Sequence, residues 1–84
     1  MDIYDFVDNI KTREDFIRFI SLLRKDYIEY KTEWENIDLN TYLESLGASA
    51  ADIPASYENQ GIPFPEQPSW QLIAKLLLMA AYYE

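Results

Sequence analysis

Apolar residues recur along this chain in blocks, and their spacing marks out the elements. Ile3, Phe6, Val7 and Ile10 stand at i, i+3, i+4 and i+7, a helical stripe. Asp2 and Asp5 suit the positive end of a helix dipole. The spacing predicts a helix over 3–10, with an extended arm as the alternative for so short a segment. A stronger signal begins at Thr12, whose hydroxyl can cap a helix. Asp15, three residues on, can answer it as in a capping box. Phe16, Ile20, Leu23, Tyr27 and Tyr30 then form one face. Glu14 with Arg18, and Lys25 with Glu29, are spaced as i, i+4 ion pairs on the outer side. A helix is predicted over 13–31.

Trp34-Glu35-Asn36 reads as a connection. Asp38 or Asn36 can cap the next helix, with Ile37 and Tyr42 as a hydrophobic staple. Leu39, Tyr42, Leu43 and Leu46 give its buried stripe, and Gly47 stands where a left-handed residue would stop it. This predicts a helix over 39–46. Residues 48–58 are expected to be irregular or one to two turns long, because Pro54 disfavours helical geometry at Ile53. Pro63, Pro65 and Pro68 make 59–68 a Pro-rich loop. Ser69 caps a last helix over 70–83, whose apolar residues go most of the way round. Such a helix is either central in its domain or buried against another copy. The expected fold is all-α: a single helical domain over 1–84, built as a small compact bundle of three to four helices (about 3–10, 13–31, 39–46 and 70–83).

Composition explains how 84 residues hold a core. The chain is 49% hydrophobic and 15% aromatic, and each large aromatic buries about 150–250 Å². Composition also removes chemistry. With no histidine, the commonest general base and nitrogen ligand are missing. With no cysteine, thiolate nucleophiles, disulfide staples and His–Cys zinc sites are missing too. Two glycines cannot build a phosphate-cradling loop. Asp2, Asp5 and Asp8 follow the polar side of a helix, not the alternating ligands of a calcium loop. The expectation is a non-enzymatic protein without cofactor or metal.

Charge narrows the partners. Seven basic residues face 15 acidic ones, a net charge of −8, which disfavours nucleic acid and anionic membranes. Six of the seven basic residues fall in 1–31, which is net −1; residues 32–84 hold only Lys75 and are net −7. That asymmetry fits a separately solvated acidic half, or an acidic face that steers toward a basic partner. Trp34 among Glu33, Glu35 and Asp38 is the densest acidic cluster beside an aromatic. It is the candidate partner-binding patch, with Trp34 as anchor; the alternative is a packed Trp34 beneath solvated acids. The N-terminal residues are acidic, unlike a signal peptide. The longest apolar run, 70–83, has 14 positions and is broken by Lys75, against the roughly 20 needed to span a bilayer. A cytoplasmic location is expected.

The pattern Thr12-x-x-Asp15-Phe16-Ile17-x-Phe19, then Leu22-Leu23, then Trp34-Glu35-Asn36-x-x-Leu39-x-x-Tyr42-Leu43-Glu44, with Trp70 and the closing Tyr83-Glu84, resembles an uncharacterised family of small bacterial proteins. Its signature is Trp-Glu-Asn followed by Tyr-Leu-Glu. The family pattern often carries a tryptophan after the second long helix, where this chain has Ala48-Ser49-Ala50. The resemblance implies no activity, substrate or catalytic residue. Two functional readings remain. One is a small acidic interaction module that binds a basic protein, as immunity proteins do. The other is a homo-oligomeric structural protein associating through 70–83.

Overall fold

A computed structural model describes residues 2–82. They fold as four α-helices: α1 (Ile3–Val7), α2 (Arg13–Tyr30), α3 (Leu39–Asn59) and α4 (Trp70–Tyr82), with a 3₁₀ turn at Lys31–Glu33 after α2. No strand occurs among the described residues, and none of these helices is long and apolar enough to cross a membrane. Tyr83, to which the apolar run extends, lies outside the described residues.

Three helix starts are the ones their capping residues foretell. Thr12 accepts from the Asp15 N–H at 3.1 Å, and Asp15 returns a bond from the Thr12 N–H, closing the capping box. The Asp38 carboxylate, not Asn36, caps α3 through the Thr41 N–H at 2.9 Å. Ser69 caps α4 through the Leu72 N–H at 3.0 Å. Helix α1 is shorter than its stripe. The Asn9 side chain donates to the Asp5 carbonyl at 2.8 Å, and the Asn9 N–H turns back to Phe6 at 3.0 Å. The chain therefore leaves the helix at Asp8, yet Ile10 is still buried.

Helix α3 corrects two expectations. It does not stop at Gly47, and 48–58 are helical throughout. The left-handed stop is Gly61, at φ 71°. Its N–H bonds the Glu58 carbonyl and the Ile62 N–H bonds the Tyr57 carbonyl, each at 3.0 Å, which is a Schellman closure. The expected stripe was wrong as well: Leu39 and Leu43 are 71% and 53% exposed. The buried stripe is Ser45, Ser49 and Ile53, with Tyr42, Leu46 and Tyr57 half-buried beside it. Serines this small let α3 lie close on α4, whose Ala74, Ala80 and Ala81 are fully buried. Pro54 is tolerated because Ile53 and Tyr57 pack on either side of it. The carbonyl that Pro54 leaves without a helical donor is that of Ala50, at an exposed position.

Helix α4 is the centre. It packs against α1, α2 and, most extensively, α3, while α2 and α3 share no comparable contact. None of its residues after Trp70 is exposed. Five of these residues are buried and the others half-buried, so the segment's all-round apolarity goes largely into packing within the chain. The core that α1, α2 and α4 share is Ile3, Val7, Ile10, Phe19, Leu23, Ala74 and Leu78, with Phe19 at 0% exposure. On α2 the inward face centres on Phe19 rather than Ile20, which is 40% exposed. Gln71 ties α4 to the end of α1 by donating to the Asp8 carbonyl at 2.9 Å.

Candidate functional site

Trp34 ends the turn after α2 and stands where three helices meet. Its ring is half-buried, 5.1 Å edge-on from Tyr27 of α2, 6.1 Å from Tyr42 of α3 in a stacked pose, and 5.9 Å from Tyr82 of α4. Its indole N–H donates to Asp26 at 2.8 Å, and the Tyr82 hydroxyl donates to the same oxygen. Burial first, then the bond to Asp26 and the charge of that carboxylate, hold the Tyr82 phenol well above the usual range. Burial likewise raises the Tyr42 phenol, whose hydroxyl donates to the Leu77 carbonyl at 2.8 Å. The next residues close the end of α4: the Glu35 and Asn36 N–H groups both donate to the Ala81 carbonyl, and the Asn36 side chain donates to Ala80. The connection is thus a C-cap for the central helix.

The four candidate residues are split by this arrangement. Glu33 lines one cleft and Asp38 another, on opposite flanks of α2 with Trp34 between them. The Glu33 cleft, of about 370 Å³, is polar, with Asp2, Asp26 and Glu29 beside Tyr4 and Tyr82. The Asp38 cleft is an apolar groove of about 350 Å³ between α2 and the start of α3. Ile20, Leu23 and Tyr27 form one wall; Ile37, Leu39 and Tyr42 form the other; Trp34 lies at the floor. It exists because α2 and α3 both lean on α4 and not on each other.

Residues 12–84 match the sequence profile of a family of unknown function, DUF7660. The chain belongs to that family. The DUF7660 match begins at the N-cap of α2, so the groove and Trp34 lie within it and α1 lies before it. No curated protein and no solved structure matches the chain.

The groove's aliphatic residues, which the apolar spacing alone places in the core, are the part of the site that the sequence did not reveal. A signal was present. Ser45, Ser49 and Ile53 repeat at i, i+4 and i+8, which places the α3 contact stripe two positions on from the Leu39 and Leu43 row, on the other side of the helix.

Proposed function

We propose that this DUF7660 protein is a non-enzymatic binding module, and that its apolar groove receives an amphipathic helix of a basic partner protein. The observation that carries the reading is the exposure of Leu39, Ile37 and Ile20, at 71%, 46% and 40%, around a half-buried tryptophan. Contiguous exposed aliphatics of this kind mark binding surfaces, and an aromatic floor supplies rigid contact area. A groove with one helix for a wall suits a helical ligand with apolar residues at i, i+3/i+4 and i+7. Charge sets the flanks of that ligand. Asp38 is exposed at the α3 side of the groove, opposite Arg24 of α2, within a half of the chain that is net −7. A cationic flank is steered toward it. In this reading Trp34 is the floor and Asp38 part of the rim, while Glu33 and Glu35 stand outside the groove.

The test uses two synthetic helical peptides with the same leucine stripe, one flanked by lysine and one by glutamate. Binding is read by the Trp34 fluorescence of a Trp70→Phe background. The lysine peptide should bind, and Leu39→Asp should weaken it at least about tenfold, as loss of a central apolar contact does. Equal binding of the glutamate peptide, or indifference to Leu39→Asp, would refute the assignment.

A further inference from the structure

Helix α4 carries a single charge, Lys75, and it is the one basic residue in 32–84. It is half-buried in the central helix. Among the described residues no carboxylate pairs with its ammonium; the ion pairs are Asp15–Arg18 and Lys25–Glu29 on α2. Lysine is among the residues most seldom withdrawn from water without a partner. Lys75 instead faces a cavity of about 500 Å³ between the second half of α3 and α4. That is larger than either cleft beside Trp34 and falls within the range of small-molecule sites. Ile53, Tyr57, Ile62 and Met79 supply apolar walls. The walls are preformed: the Schellman closure at Gly61 fixes Ile62, and the Phe64 ring meets Tyr57 edge-on at 5.1 Å.

We propose that this cavity binds a small amphiphile with an apolar tail and a singly charged anionic head, and that Lys75 receives the head. The tail lies along Ile53, Ile62 and Met79. The head pairs with an ammonium that makes no ion pair among the described residues, in a half-buried place where such a pair is stronger than at an open surface. Asp52, exposed at the rim of the same cavity, opposes the head and selects against a second negative charge. The sign of the preference is diagnostic. A net charge of −8 attracts cations everywhere, so a cavity that prefers the anion does so through Lys75.

Octanoate and octylammonium share a tail and differ in the sign of the head. Each is titrated into the intact protein, with the methyl resonances of Ile53, Ile62 and Met79 as the readout. Octanoate should saturate these shifts and bind at least about tenfold more tightly than octylammonium, the scale of one charge-assisted contact. Lys75→Gln, checked for fold by circular dichroism, should abolish that preference. Asp52→Asn, an exposed change that leaves the core intact, should raise octanoate affinity severalfold. The proposal is overturned if octylammonium binds as well as octanoate, if no shift saturates, or if Lys75→Gln leaves octanoate binding unchanged. It also fails if Asp52→Asn weakens octanoate binding, and this arm decides the matter should Lys75→Gln fail to fold.

Discussion

The Asp26 carboxylate and the Trp34 indole N–H meet at 2.8 Å, eight residues apart, and the oxygen they share also takes the Tyr82 hydroxyl. One side chain on α2 thereby fixes the turn that follows it and the last turn of α4. Both donors are half-buried, and without Asp26 each would lose its acceptor. Asp26→Ala should cost about 2–3 kcal/mol, as loss of hydrogen bonds to a charged group does. Asp26→Asn keeps an acceptor but not the charge and should cost about half as much. Urea unfolding followed by tryptophan fluorescence measures both; an Asp26→Asn variant as stable as the parent would show that the charge contributes nothing.

The two glycines should respond in opposite directions. Gly47 lies inside α3 with nothing within 4 Å of an added Cβ. Gly47→Ala should stabilise by about 0.5–1 kcal/mol through helix propensity. Gly61 has the same open space but a φ of 71°. Gly61→Ala should destabilise by about 1 kcal/mol, because an L side chain in that region crowds its own carbonyl. Thermal melts of the two variants should move to opposite sides of the parent.

That contrast shows what was legible in the sequence. The starts of α2, α3 and α4 were legible because a cap is a local bond between Thr12, Asp38 or Ser69 and an amide three residues on. The all-helical class was legible from the spacing of apolar residues. The end of α3 was not, because Gly47 and Gly61 look alike until their backbone angles are known. Its buried stripe was hidden because Ser45 and Ser49 are polar by type and chosen here for size. Pro54 argued for a break, and only the tertiary burial of Ile53 outweighs it. The candidate patch was legible in part. Trp34 stands out in the sequence as an aromatic among acids, but the groove above it depends on α2 and α3 each packing mainly on α4, and no local spacing encodes that.

Alkaline pH should find the aromatic hub. The Tyr82 and Tyr42 phenols are raised in the folded chain, by burial first and in Tyr82 also by Asp26. A raised pKa adds stability that is complete below the unfolded value, about 10 for tyrosine. That contribution is lost as pH climbs from there toward the folded value. Stability should therefore fall above about pH 10, and Tyr82→Phe should make the fall shallower. Absorbance at 295 nm against far-ultraviolet circular dichroism checks this. Ionisation of these two tyrosines should coincide with unfolding.

Acid should act at the other end of α2. Asp15 is held below the usual carboxylate range, chiefly by the Lys11 N–H at 3.1 Å, with Thr12 and Arg18 assisting against slight desolvation. A lowered pKa contributes stability that is complete above the unfolded value and is lost as pH falls through the folded one. Asp15→Asn should flatten the decline of stability below about pH 4. Thr12→Ala removes the other half of the box and should cost about 1 kcal/mol at neutral pH. Urea midpoints across an acid series separate the two effects.

The helix against which α1, α2 and α3 all pack is also the one the ribosome makes last among them. Until Trp70–Tyr82 has emerged, Phe19 and Leu23 lack Ala74 and Leu78, and the serine stripe of α3 lacks the helix on which it packs. The earlier helices can form turns but cannot bury them. These helices are therefore expected to gain their stable packing only once the final described helix has been translated, and a chain halted in the proline loop to lack it.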